Sequence, residues 1–282
     1  MNQAASVRSR LLNLAKSQNQ EHGMLLIRYV VERFLYRLGR SEHRGQFILK
    51  GAMLLLALNP GFRRITKDLD LLGFGDPNEH HLLECIKTCC EIPVEDDGVI
   101  FDTQTITAQP IREELEYGGL RVVFKAQIGN AVLPIQIDIG FGDAITPQPE
   151  DLSLPTLLGH PAPNLRVYPI LTVIAEKIHA ITTLGMANTR LKDYYDLYSI
   201  TKVFTINPTA LQTALQRTFA NRNTAMFTTL PLGLTDEFTL SPIKISQWQA
   251  FLRRNKINPT ELNLSQVVAE IVPWLAFISE ES

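Results

Sequence analysis

Arg64-Ile65-Thr66-Lys67-Asp68-Leu69-Asp70-Leu71-Leu72 is the stretch on which the reading of this chain turns. In an extended strand, residues two apart point to the same face. Asp68 and Asp70 then share one face while Leu69, Leu71 and Leu72 can pack away from it. Two unscreened carboxylates held that close repel each other and raise one another's pKa. A cation between them removes that cost, and hard oxygen donors of this kind suit Mg²⁺ or Mn²⁺. The pair reads as half of a divalent-metal site on a strand, of the sort that serves phosphoryl or nucleotidyl transfer. For so short a motif, a strand edge with two solvated acids is the plain alternative; the flanking sequence favours the metal site.

Upstream, Phe47-Ile48-Leu49 leads into Lys50-Gly51-Ala52 and a short helix to Leu58, followed by the turn Asn59-Pro60-Gly61. Small residues at a helix start let a phosphate approach the backbone, where free N–H groups and the helix dipole attract anions. Downstream, Gly73-Phe74-Gly75-Asp76-Pro77 ends the acidic strand and a helix runs from Leu82 to Cys90. The stretch from Val99 to Ile139 is strand-rich. Leu120–Ile128 and Ala131–Ile139 are separated by Gly129-Asn130, a hairpin turn. In the second of these strands Ile135, Ile137 and Ile139 alternate with Gln136 and Asp138, which puts Asp138 on a polar face as a possible third carboxylate beside Asp68 and Asp70.

Farther out, Ser6 to Gly39 has helical spacing, with Gly39 as its stop and Ser41 as a new cap. Six prolines between Pro147 and Pro169 predict an extended connection. Beyond them the chain turns helical: Leu171–Leu184, Leu191–Val203, Thr209–Ala220, Ser246–Asn255 and a helix from Ser265 that Pro273 ends or kinks. The expected organisation is a mixed α/β domain with N-terminal helices over residues 1–165 and a helical C-terminal domain over 166–282.

The 282 residues, 45% hydrophobic and 20% charged, fit a globular protein. A net charge of −2 excludes a global basic field, so a nucleic acid would need a local patch. Arg63, Arg64 and Lys67 with Arg190 and Lys192 are the candidates for that patch, and Tyr194 and Tyr195 for base stacking. The three cysteines, Cys85, Cys89 and Cys90, are no disulfide framework and fit a reducing compartment. His80, His81, Cys85 and Cys89 could share a helical stripe, but no second ligand pair of zinc spacing accompanies them, and an ordinary helix with partly buried thiols is the better reading. The N-terminus lacks signal-peptide character, and the apolar run Phe47–Leu58 contains Lys50 and is too short to span a bilayer. A cytoplasmic protein with no membrane association is expected.

Three blocks carry a family resemblance. They are Ile48-Leu49-Lys50-Gly51-Ala52-Met53; Thr66-Lys67-Asp68-Leu69-Asp70-Leu71-Leu72-Gly73-Phe74-Gly75-Asp76; and Gln136-Ile137-Asp138-Ile139-Gly140-Phe141-Gly142-Asp143. Their order resembles the DNA polymerase β-type nucleotidyltransferases, and more narrowly the AbiEii/AbiGii (MenT-like) nucleotidyltransferase toxins. Ala175-Glu176-Lys177-Ile178 and Arg190-Leu191-Lys192-Asp193-Tyr194-Tyr195-Asp196-Leu197 resemble the helical half of the same family. The resemblance implies an α+β fold, with a polymerase β-like core of mixed sheet and flanking helices followed by a helical C-terminal half. It implies Asp68, Asp70 and Asp138 as catalytic, metal-holding carboxylates for Mg²⁺ or Mn²⁺. Lys177 would neutralise the triphosphate, and Asp193 would hold Lys177 or contact the nucleotide. Lys50, Gly51, Ala52, Thr66 and Arg190 join Lys177 as nucleotide contacts. The implied reaction moves a nucleotide from an NTP to an RNA acceptor, the tRNA 3′ end, and the implied partner is an antitoxin, often of winged-helix type. The superfamily usually has Gly-Ser where this chain has Gly51-Ala52, so a hydroxyl that can bind a terminal phosphate is missing.

Three other readings are open. An inactive nucleotidyltransferase fold that only binds nucleotide or a partner would account for Ala52. An RNase toxin would use Arg37 and His43, five residues apart in their spacer, but Gly39 would break the helix presenting them. A small-molecule acceptor, such as an aminoglycoside, would replace the RNA.

Overall fold

The computed structural model describes residues 2–59, 61–75, 77–111 and 119–280. Pro60 of the expected turn and Asp76 of the second motif block lie outside them. The chain forms two compact units: Met1–Ala57 with Ile65–Gly142 and Glu150–Val167, and Leu58–Arg64 with Asp143–Pro149 and Tyr168–Ser282.

The first unit is built on one mixed sheet. Its strands are β1 (Phe47–Lys50), β2 (Asp68–Gly73), β3 (Ile100–Ile111), β4 (Gly119–Ile128), β5 (Ala131–Phe141), β6 (Glu150–Ser153) and β7 (Asn164–Val167). Among the described residues they run in the order β3-β4-β5-β2-β1-β7-β6. The acidic stretch forms β2, paired antiparallel with β1 and parallel with β5. Leu69 and Leu71 are buried while Asp68 is exposed and Asp70 half-buried, as in a strand with one face in the core; Leu72 shares the face of Asp68 and Asp70 rather than packing away from it, and is buried as well. Ile135, Ile137 and Ile139 of β5 are buried in the same way. The β4–β5 hairpin closes through Gly129 and Asn130, with Ile128 facing Ala131 and Gly129 at φ +59°. That positive φ is what a two-residue hairpin turn asks of its first position.

Two sequence expectations change here. The helical N-terminus is two helices, α1 (Gln3–Ser17) and α2 (His22–Arg40), interrupted at a polar run where Asn19 takes φ +51°. Gly39 lies one residue before the end of α2, close to the expected stop, and Ser41 caps the turn that follows. A β-carbon at residue 39 would lie 2.8 Å from the Asn164 carbonyl oxygen, so this glycine lets β7 approach the helix. The proline-rich stretch is not simply a connection: β6 and β7 occupy two of its proline-free gaps and pair antiparallel at the sheet edge.

Helix α2 lies against the sheet with Tyr29, Val30, Phe34 and Leu38 buried. Its polar groups are spent on loops. Arg37 donates to both oxygens of Asp97 (2.7 and 3.2 Å), and Tyr29 donates to the Asp97 carbonyl at 2.8 Å. Glu32 accepts from the Leu157 amide at 2.7 Å, and Arg33 donates to the Pro161 carbonyl at 2.9 Å. Commitment of Arg37 to Asp97 removes the guanidinium that the RNase reading needs. Helix α3 (Gly51–Leu58) follows β1 directly, and α4 (Glu79–Glu91) buries Cys85, Cys89 and Cys90. Burial raises these thiols, Cys89 to about 11, so they are structural rather than reactive.

The second unit is helical: α5 (Ile170–Leu184), α6 (Leu191–Thr201), α7 (Pro208–Asn221), α8 (Asp236–Thr239), α9 (Pro242–Arg254) and α10 (Leu264–Ile271). Helix α5 packs on α7, and α6 on α10. With the turn after it, α5 is long and apolar enough to cross a membrane by composition alone. Here Val173, Ile174, Ile178 and Ile181 are buried, and Lys177 in its middle is ion-paired, which marks a core helix. Helix α10 starts one residue before Ser265, because Asn263 makes a reciprocal cap with Gln266; at Pro273 the chain is a 3₁₀ helix.

Candidate active site

Strand register assembles the first group of predicted residues. Lys50 on β1 faces Asp70 on β2, Asp70 faces Asp138 on β5, and Asp138 faces Arg121 on β4. Directly opposed residues in neighbouring strands point to the same side. Lys50, Asp70, Asp138 and Arg121 therefore form one row across four strands. Asp68, two residues from Asp70, lies on the same face, opposite Gln136.

Gly51 adjoins this row. It takes φ +69°, and a β-carbon there would overlap the Asp70 carboxylate. Both facts require glycine: the left-handed backbone lets β1 turn directly into α3, and the bare Cα lets Asp70 lie against the turn. Ala52 is buried in the first turn of α3, and the Thr66 hydroxyl donates to the Asp68 carbonyl at 3.3 Å.

Asp138 is heavily hydrogen-bonded. Arg121 donates to both its oxygens, each at 2.8 Å, and the Gln136 amide adds a contact at 3.2 Å. The two ion-paired side chains are partly exposed, Arg121 at 36% and Asp138 at 21%. The Arg121 pKa is raised, first by the hydrogen bonds it donates to Asp138, with the charges of Asp138, Asp68 and Asp70 adding to it. Arg121 thus feels all three carboxylates. It was not singled out from sequence, although the hairpin turn at Gly129-Asn130 fixes the register that puts it opposite Asp138.

Among the described residues, no three His, Cys, Asp or Glu side chains are grouped so as to hold a metal by themselves. The donor set nevertheless suits Mg²⁺, which commonly takes one or two carboxylates and completes its shell with water and substrate phosphates. Asp68 and Asp70 are such a pair.

The second unit brings together another predicted group. Lys177 of α5 donates to Asp193 (2.9 Å) and Asp196 (2.7 Å), one turn apart on α6. Arg64 forks onto Asp196 at 2.8 and 3.2 Å, and Arg190 reaches Asp193 at 3.0 Å. Charges alternate along this chain of five. Burial alone would lower the Lys177 pKa, but Asp193 and Asp196 outweigh it and the net shift is upward. For Asp193, burial pulls upward and Lys177 with Arg190 pulls down, leaving its pKa lowered. Asp196 was not predicted as a site residue. The sign of its role was its spacing of three from Asp193, which puts both on one helix face.

Two expectations fail in this unit. Arg64 and Arg190 are not spare cations of a solvated basic patch; each is bound to an internal carboxylate. Tyr194 and Tyr195 do not offer rings to a base. Both are buried, Tyr194 stacked on Phe238 with its hydroxyl donating to the Gly233 carbonyl (2.9 Å), and Tyr195 packed against Phe62 and Phe251.

Comparison with known proteins agrees with this architecture. The AbiEii family, described as nucleotidyl transferase toxins of type IV toxin–antitoxin systems, matches residues 33–270. JHP933 from Helicobacter pylori has the same fold, with a TM-score of 0.52, 17% identity and 92% of each chain covered. So has an H. pylori protein assigned as a nucleotidyltransferase, with a TM-score of 0.53, 17% identity, and 91% of this chain and 95% of that one covered. No curated protein matches the chain in sequence.

Proposed function

The chain belongs to the AbiEii nucleotidyltransferase toxin family of type IV toxin–antitoxin systems, and from that premise we propose that it transfers a nucleotide from an NTP to the 3′ hydroxyl of an RNA, with tRNA as the favoured acceptor. The observation that carries this reading is the register pairing Asp70 with Asp138, with Asp68 on the same face and the Gly51 turn against Asp70. Asp68 and Asp70 would hold Mg²⁺ or Mn²⁺. When bound, such an ion offsets charge on the nucleotide phosphates and stabilises the entering and leaving oxygens of an in-line displacement.

The remaining work falls to the chain's own groups. Backbone N–H groups at the start of α3 receive phosphate oxygens where Ala52 supplies no hydroxyl. Lys50, opposite Asp70, adds positive charge on that face, and Thr66 orders the turn into β2. Asp138 orients the acceptor hydroxyl and takes its proton as the new O–P bond forms; the α–β bond breaks and pyrophosphate leaves. In the second unit, Asp193 and Asp196 fix the Lys177 ammonium, and Arg190 pairs with Asp193. A family antitoxin is the expected protein partner.

The test is incubation of the purified chain with each α-labelled NTP, Mg²⁺ and total RNA, followed by sizing of the labelled product. Labelled RNA in the tRNA size range supports the reading; label in small molecules alone replaces the acceptor. A second reading, an inactive fold that acts through binding, draws on Ala52 and on the Arg121 fork that occupies Asp138. No labelled product with any NTP, in a preparation that still binds its partner, favours it.

A further inference from the structure

We propose that Arg121 is an internal counter-ion of the carboxylate row, holding Asp138 while the site lacks its metal and nucleotide and yielding it when they bind. The inference rests on the metal-site reading above and adds to it the residue that sets how readily the site loads.

Three observations lead to it. Arg121 is bidentate on Asp138, with both contacts at 2.8 Å, and Gln136 supplies a further donor. Both oxygens of Asp138 are therefore already engaged by this chain's own side chains. Release of the fork frees the oxygens of Asp138 to face a cation or take a proton from a hydroxyl. Second, the row places Asp70 directly beside Asp138 with Asp68 on the same face, and such neighbouring like charges destabilise a sheet. Arg121 and Lys50 stand at the two ends of the row, next to Asp138 and Asp70 respectively. Arg121 relieves the repulsion, and an incoming cation would relieve the same repulsion. The two compete for one electrostatic role. Third, the ion pair is partly exposed, so exchanging it leaves no buried charge stranded. A fully buried pair could not open so cheaply; this one can.

Arg121 also carries a fork suited to phosphate. Released from Asp138 beside a bound NTP, it has an anionic partner of the same geometry available. It is a positioning residue, and the exchange links nucleotide arrival to the freeing of Asp138.

The experiment measures Mn²⁺ binding to the full chain without NTP, by titration followed by electron paramagnetic resonance, for the unaltered protein and for Arg121→Gln, Arg121→Lys and Asp70→Asn. Thermal melting of each variant confirms folding. The expectation is that Arg121→Gln binds Mn²⁺ about two- to fivefold more tightly, the fold-change that loss of a competing exposed ion pair allows. Arg121→Lys, with a charge but no fork, falls between. Asp70→Asn loses binding. In the same series the KM for NTP rises in Arg121→Gln, since the released fork is missing. If Asp70→Asn loses Mn²⁺ binding while Arg121→Gln binds it equally or more weakly, the counter-ion role is overturned and the metal site stands. If Mn²⁺ binding is indifferent to Asp70→Asn, the metal-site reading itself has failed.

Discussion

The carboxylate row of the first unit and the ionic chain of the second solve opposite problems with the same residue types. In the second unit, Arg190, Asp193, Lys177, Asp196 and Arg64 alternate in sign, and each acid has a basic partner on either side. Its acids are fully paired and buried, with Lys177 and Arg64 largely buried and Arg190 half-exposed at one end. In the first unit, Asp68, Asp70 and Asp138 crowd one partly exposed face, and like charges sit in adjacent strands. A fold that pairs its acids in one place and crowds them in another supports the proposal that the crowded set serves a ligand that brings positive charge. On the proposed reading, the difference separates a frame from a reaction site.

The largest expected effect breaks the comparison on the side of the row. Asp70→Asn should lower RNA labelling at least about a hundredfold, the scale for removing one electrostatic element aimed at a reaction centre. Its melting temperature should hold or rise slightly, because a like-charge neighbour of Asp138 has gone. A large loss of stability in this variant would mean that the row is a frame as well.

The matching change in the second unit should behave the other way. Lys177→Met leaves Asp193 and Asp196 buried without their shared cation, at a cost of about 3–5 kcal/mol, measured by urea unfolding. The pH dependence follows from the shifts. The Asp193 pKa is lowered in the fold, so its contribution is present above the ordinary carboxylate value and is lost as pH falls below it. The Lys177 pKa is raised, so its contribution is present below the ordinary lysine value and is lost as pH rises through the higher folded value.

A milder effect comes from His179, whose pKa is pushed down to about 4 by burial, with Arg222 adding to the shift. Between its ordinary value of 6.5 and about 4, the unfolded chain binds a proton that the folded one does not. Stability should therefore fall as the pH drops from 6.5 to 4 and then level off as far as this residue is concerned. His179→Gln should flatten that part of a pH–melting curve.

The smallest effect is Tyr194→Phe, which removes the hydrogen bond to Gly233. It should cost about 1 kcal/mol in stability and leave RNA labelling unchanged. A selective rise in the KM for RNA would restore the base-stacking role that burial of the ring argues against.

Much of the row was legible because strand periodicity is a local property. Leu69 and Leu71 had to go inward, which turned Asp68 and Asp70 to the same face, and the Gly129-Asn130 turn set β4 against β5. The placing of Asp138 beside Asp70 rested on a resemblance as well, since nothing local says which strand neighbours β2. Arg121 was hidden in plain alternation: its partner follows only from carrying the hairpin register back to the start of β4. The two short strands β6 and β7 were masked by their prolines, which flank each four-residue segment and never enter it. The tyrosine pair and the arginines of the supposed patch were misread because burial inside a helical unit is set by which helices meet. Spacing along a single helix does not reveal that.

Labelling of RNA from an α-labelled NTP by Asp138→Asn, beside the unaltered chain, tests the central claim most directly. Asp138 is the member of the row that joins Asp68 and Asp70 only through the parallel pairing of β2 with β5. The account predicts that the variant melts like the unaltered protein and transfers no measurable nucleotide. Labelling at the unaltered rate would contradict it.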